Sequence, residues 1–292
     1  MPGPPLHIVT RSGALGDTTG ATVPATFPAR FHMEEDHEYQ PDATPIQRFN
    51  TDGSYRRSTL FWEKNFWTTL NRGQGFRTPA EPPGIDPTQP VRIRVRLWGL
   101  PPNPALPTDP TVKSLGIFDH YVDVALGPVL FPRRGWNGNG ADFVSGLHSA
   151  QTFDSTVAGL PATGNQLRVD VVDFVDPDAA RAPLRVDRVG VAWCDLFYAR
   201  RFEPILDQLD FESPPTSGDD LYRIGPFDIG PDLPRVFDVT EPLRPLEVVG
   251  LDFRELSPGA WQLRFRPVEP GHRRYRVIAD GPSVSGIVRP AN

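Results

Sequence analysis

The sequence predicts an all-β protein, an antiparallel jelly-roll-like β-sandwich followed by a smaller β-rich subdomain. Three observations carry that expectation. Proline is the first: 35 of 292 residues are Pro and 26 are Gly, against an average Pro usage of about 5%. Proline removes a backbone donor and clashes inside a helix, so a chain this rich in it folds as short strands joined by many turns. The second is strict alternation in residues 91–97, where Val91, Ile93, Val95 and Leu97 point one way and Arg92, Arg94 and Arg96 the other, the pattern of a half-buried strand. The third is the even spacing of further apolar runs separated by turn residues.

In chain order, residues 1–30 are rich in Gly, Thr, Pro and Ala with one apolar run at 6–9, read as one strand and a long loop. Residues 31–38 combine aromatic, His and acidic side chains, and residues 60–67 fit a short helix or a two-sided strand equally well. The stretch 72–90 holds Pro79, Pro82, Pro83, Pro87 and Pro90 and reads as a linker. Strands follow at 91–97, 121–126, 143–148, 167–174 and 186–198. The last is apolar on both faces, with Val189, Val191, Trp193 and Phe197 on one and Val186, Ala192, Cys194, Leu196 and Tyr198 on the other, so it belongs at the centre of a sheet. Beyond Pro214 and Pro215, strands are expected at 236–239, 246–251, 261–265 and 275–279, with a turn at Ser257-Pro258-Gly259. The expected division is residues 1–78 as an N-terminal segment, 79–213 as the sandwich and 214–292 as the C-terminal β subdomain.

Charge and composition exclude several functions. A net charge of −6 offers no concentrated positive field for nucleic acid. All but Lys64 and Lys113 of the 30 basic residues are Arg, an imbalance that reads as genomic base composition. No run of 18 apolar residues exists to span a membrane, and residues 1–7 have neither the basic start nor the apolar stretch of a signal peptide. One cysteine rules out a disulfide framework and a multi-cysteine zinc site.

Candidate chemistry is sparse. Cys194 is the sole thiol, and its place in mid-strand points it into a core, where a thiol is inert. His32, Glu34, Glu35, Asp36, His37 and Glu38 are metal-ligand types at close spacing, yet they lack a recognised ligand pattern and read as a solvated charge run. Residues 136–142 and the group Asp173, Asp176 and Asp178 resemble calcium ligands without completing a calcium loop, and read as turns and strand ends. Residues 281–285 fall short of a nucleophile elbow because Ser285 stands where Gly is needed. No catalytic residue, metal or cofactor is assigned. Of the six tryptophans, at 62, 67, 98, 136, 193 and 261, Trp98 and Trp136 sit at strand-to-loop positions where an exposed ring could stack on a sugar.

Several segments, in order, resemble the non-catalytic β region that precedes the peptidase domain of gingipain-like cysteine peptidases, a family that includes the sortase-like peptidase of type IX secretion. They are residues 31–36, Phe61-Trp62, Arg96-Leu97-Trp98-Gly99, residues 119–124, Trp136-Asn137-Gly138, residues 189–202 and residues 236–242. One departure is Leu126-Gly127, where the family pattern has Asn-Gly. The resemblance spans about residues 30–280, and the last segment, Val236-Phe237-Asp238-Val239-Thr240-Glu241-Pro242, is its most specific part. It implies a scaffold or recognition module of a longer secreted or cell-surface protein whose catalytic His and Cys lie downstream. It also implies that Tyr222, Phe227, Phe237 and Tyr275 form an apolar patch against that peptidase domain, or against a surface protein or glycan. The alternative is a free-standing carbohydrate-binding jelly-roll module using Trp98 and Trp136.

Overall fold

The computed structural model describes residues 9–12, 18–35, 37–39, 65–99, 120–136, 150–172, 188–214, 220–228, 233–267 and 269–279. Regular structure among them is entirely β, and no helix there is long and apolar enough to cross a membrane. Twenty strands occur among the described residues, and their resolved ladders run antiparallel except one. The exception joins β1 (Val9–Ser12) to β17 (Leu246–Val249) in parallel.

The chain forms two compact units. One comprises residues 30–82 and 87–198, the other residues 1–29, 83–86 and 199–292. The crossings at 29/30 and 198/199 fall inside β2 (Thr26–Met33) and β13 (Arg188–Arg201). Sequence breaks had suggested 78/79 and 213/214. β13 carries no Pro or Gly at the point where it passes from one unit to the other, and Pro28 stands inside β2 without ending it.

The first unit is a two-sheet sandwich. Its first sheet orders β10 (Arg134–Trp136), β8 (His120–Leu126), β12 (Gln166–Val171) and β6 (Gly75–Pro79), with β9 (Val129–Leu130) paired to β8. The second orders β11 (Ala150–Val157), β7 (Val91–Gly99), β13 and β2, with β5 (Thr68–Asn71) paired to β13. The period-2 pattern fills the core as expected. Val91, Ile93, Val95 and Leu97 from β7 are buried with Val122, Val124 and Leu126 from β8, and with Leu167, Val169 and Val171 from β12. Residues 75–79, expected in a linker, are instead an edge strand whose Pro79 lies opposite Gln166. An edge position tolerates a missing N–H, so proline density hid this strand without preventing it. β3 (Glu38–Tyr39) and β4 (Asn65–Phe66) make a separate two-stranded pair.

In the other unit, β1, β17, β16 (Arg235–Asp238), β20 (Arg274–Ile278) and β14 (Gln208–Glu212) form one sheet. A second consists of β15 (Tyr222–Asp228), β19 (Ala260–Phe265) and β18 (Asp252–Ser257). Their apolar faces, together with Phe27 and Phe202, build one core that includes Leu209, Phe211, Tyr222, Ile224, Phe227, Val236, Val248, Leu263, Phe265, Tyr275 and Val277. Expected strands at 236–239, 246–251, 261–265 and 275–279 are present, while β14, β15 and β18 come in addition. The strand expected at 143–148 and the turn and loop candidates at 137–142, 173–178 and 281–285 lie outside the described residues.

The segment 236–242 closes β16 onto β20. The Asp238 carboxylate accepts from the Thr240 N–H at 3.0 Å and from its hydroxyl at 2.5 Å. Thr240 Oγ1 accepts from the Arg274 N–H at 3.0 Å, and the Val239 N–H donates to the Arg274 carbonyl at 2.8 Å. Asp238→Ala should therefore cost about 1–3 kcal/mol, the range for stranding partners of a carboxylate hydrogen bond. A urea denaturation midpoint equal to that of the parent protein would exclude this role for the turn.

Candidate recognition face

β13 carries a bulge that sets the geometry of the outer face. Val191 lies opposite Leu97, but the next pair is Trp193 with Arg96, so Ala192 is the extra residue. One inserted residue inverts the alternation. Val189 and Val191 thus share the core side with Cys194 and Leu196, whereas Trp193, Asp195 and Phe197 turn outward beside Arg96, Arg94 and Arg92. The expectation that Val189, Val191, Trp193 and Phe197 share one face fails for this reason.

Along that face the basic and aromatic side chains interleave. The Arg92 guanidinium lies 5.8 Å from the Phe197 ring centroid, Arg94 5.8 Å from Trp193, and Arg96 5.1 Å from Trp98. Arg92 also donates in bidentate fashion to Asp154 of β11, at 2.8 and 2.6 Å. That pairing raises the Arg92 pKa and holds the Asp154 carboxyl below its ordinary value. Arg96 donates to the Thr152 hydroxyl at 3.0 Å.

On β2, Arg30 and His32 converge on Asp195. Its carboxylate is buried, with 3% of the side chain exposed, and accepts from Arg30 Nε at 2.7 Å and Nη2 at 3.0 Å. His32 Nδ1 donates to the same carboxylate at 2.7 Å, and its Nε2 to Glu34 at 2.8 Å. Burial pulls the His32 pKa down, but hydrogen bonds to Asp195 and Glu34 outweigh it and leave the pKa raised. An imidazole with a carboxylate on each nitrogen holds its proton, so it serves as a charged clip between strands rather than as a base. The residues 32–38 read as a solvated charge run thus include one side chain with a structural task. Asp36 lies outside the described residues, and among those described no group of three His, Cys, Asp or Glu is arranged to hold a metal ion.

Cys194 is fully buried, as its mid-strand position predicts. Burial, and then the neighbouring Asp195 charge, push its thiol well above the ordinary cysteine range. A thiol held protonated in an apolar core is a poor nucleophile.

No protein-family model matches the chain, and no curated protein matches it in sequence. Among solved structures, dimeric latent PorU from Porphyromonas gingivalis is similar at a TM-score of 0.49 and 10% identity, over 94% of this chain and 22% of that one. The chain therefore spans less than a quarter of that protein's length. The infectious bursal disease virus subviral particle gives a TM-score of 0.23 at 9% identity, over 88% of this chain and 43% of that one. Neither likeness assigns a function.

The aromatic residues singled out from sequence lie mostly in cores. Trp98 is 7% exposed, because Phe66 lies over that end of the outer face with Ala192 and Trp193. Gly190 makes room for it: a Cβ there would meet the Phe66 ring at 2.8 Å. Trp136 is 5% exposed, its ring 5.1 Å from that of His120. Tyr222, Phe227 and Tyr275 are core residues of the other unit rather than members of an exposed patch. Alternation placed Tyr275 on an expected strand, whereas Tyr222 and Phe227 lie on β15, which was not expected, and both strands turn these rings into that core. Phe237 alone of the six keeps part of its surface, with the Arg235 guanidinium 4.9 Å from its ring centroid. Sequence reading passed over Arg30, Trp193 and Asp195 as partners. The signal was present in the Trp-x-Asp-x-Phe alternation of 193–197, but the bulge that turns it outward has no sequence mark.

Proposed function

We propose that this chain is the non-catalytic β module of a gingipain-like cysteine peptidase, a scaffold or recognition region of a longer protein that works outside the cell or at its surface. The observation that carries the reading is the segment 236–242. The most family-like stretch of the sequence has a task for its polar residues, Asp238 and Thr240 binding each other and tying β16 to β20. Other matching segments supply β7, β8 and β13, and an all-β architecture agrees with a module of this kind. The buried, protonated Cys194 agrees with catalysis residing elsewhere in the parent protein. The sugar-binding alternative draws no support from Trp98 and Trp136, since stacking needs an open ring face.

The test uses the purified chain with fluorogenic Arg and Lys peptides and a thiol reagent. The expected result is no cleavage, with Cys194 labelled only on denaturation. A gingipain-like peptidase domain added in trans should co-elute with the chain and gain thermal stability. Cleavage abolished by Cys194→Ala would overturn the non-catalytic reading, and a peptidase domain indifferent to the chain would overturn the scaffold role.

A further inference from the structure

We propose that the outer face of the β11, β7, β13 and β2 sheet is a docking surface for an acidic polypeptide segment of a partner protein, with Arg94 receiving a partner carboxylate. Charge complementarity is the first argument. The protein carries a net charge of −6, yet among the described residues this face gathers Arg30, Arg92, Arg94 and Arg96 around two carboxylates, Asp154 and Asp195. Both are already committed, Asp195 to Arg30 and His32, and Asp154 by hydrogen bonds to Arg92 and by a longer ion pair to Arg94. At the margin, Glu34 is engaged by His32.

Arg94 is left over. It sits between Arg92 and Arg96 with its side chain 36% exposed, and its nearest carboxylate oxygen, on Asp154, is 3.6 Å away, beyond hydrogen-bond distance. Its Nε is buried and has no hydrogen-bond partner among the described residues. A guanidinium presents five donors in a planar fork that matches a carboxylate, and a buried donor without an acceptor is costly. The half-buried Trp193 ring beneath it limits the side chain's freedom, so less entropy is lost when an acceptor arrives.

The neighbours favour a polypeptide over a glycan. The guanidinium groups of Arg94 and Arg92 already lie over the Trp193 and Phe197 rings, which leaves sugars little ring face to stack on. Arginine and tryptophan set around partly buried aromatics are, in contrast, the composition of energetic centres at protein interfaces. This inference stands independently of the gingipain-like reading.

The experiment titrates the whole chain with a short fluorescent polyglutamate peptide and follows anisotropy together with tryptophan emission. Binding should weaken with added salt, and Arg94→Gln should weaken it about tenfold, the value of one charge-assisted contact of about 1.4 kcal/mol. Arg94→Lys, which keeps the charge but loses the fork, should fall between the two. Arg254→Gln, on exposed β18 of the other unit, should leave binding unchanged. Melting curves identify a variant that fails to fold, and Arg96→Gln then replaces it in the comparison. Absence of binding, or binding indifferent to both Arg94 and Arg96, would overturn the proposal. So would an Arg94-dependent preference for polygalacturonate over polyglutamate, which would make the occupant a glycan.

Discussion

Phe211→Ala should destabilise the unit built around it by about 3–5 kcal/mol, the range for deleting a buried aromatic side chain. Phe211 is the hub of the core. Its ring centroid lies 5.7 Å from Phe27, 5.1 Å from Phe202, 5.0 Å from Tyr222, 6.5 Å from Phe265 and 5.2 Å from Tyr275. Tyr275 lies on the same sheet as Phe211, and Tyr222 and Phe265 lie on the other sheet of that unit, so a void there removes contacts from both at once and backbone hydrogen bonding prevents collapse around it. Because the chain has two units, the loss belongs to one of two unfolding transitions if they separate. Urea denaturation followed by near-ultraviolet circular dichroism measures it. A change within about 0.5 kcal/mol, the usual range for surface substitutions, would rule out Phe211 as the hub.

Arg30→Met should have the second largest effect, and one that depends on pH. The substitution leaves Asp195 buried with His32 as its remaining hydrogen-bonded cation, and because Arg30 is itself half exposed the loss should stay below the roughly 3–5 kcal/mol of breaking a fully buried pair. In the parent protein His32 already has a raised pKa. Its contribution is therefore complete below the ordinary histidine value and is lost as pH rises through the higher folded value. Arg30 disfavours the His32 charge, so its removal makes Asp195 depend on that proton more heavily. The variant should approach parental stability near about pH 5.5, below the ordinary histidine pKa, and fall furthest behind above about pH 8. Asp195→Asn should flatten the dependence. Parallel stability curves for Arg30→Met and the parent across this range would remove His32 from the account.

The elements legible in the sequence were those whose burial is one-sided and uninterrupted. β7 shows this best, since its four core residues alternate with three arginines. β14 has the same alternation, with Leu209 and Phe211 buried between polar neighbours, but over only five residues. β15 is interrupted by Gly225 and Pro226, which reads as a break although the ladder with β19 resumes at Phe227. β2 contains Pro28 and presents its apolar side chains to two different cores, so no single period describes it. The recognition face was hidden for another reason. His32 and Asp195 lie 163 positions apart, and local pattern cannot show that a charge run in one strand meets a lone carboxylate in another. Composition pointed to aromatic residues as site candidates, but in sandwiches of this size large rings fill cores first, as Trp98, Trp136, Tyr222 and Tyr275 do.

The parallel pairing of β1 with β17 also fixes an order of events during synthesis. Arg11 on β1 bonds to Glu269, 258 positions later, and at about 5–20 residues per second the ribosome needs roughly 10–50 seconds to make that stretch. Residues 30–198, interrupted only by 83–86, are complete well before that. Their sandwich can therefore close while β1 and Phe27 still wait for β14 to β20. During that interval the early strand offers unpaired backbone to any passing chain, a hazard that grows with every delay in translation. Nascent chains stalled between residues 200 and 245 should therefore bind chaperones through their first thirty residues, and release them once β17 has emerged from the exit tunnel.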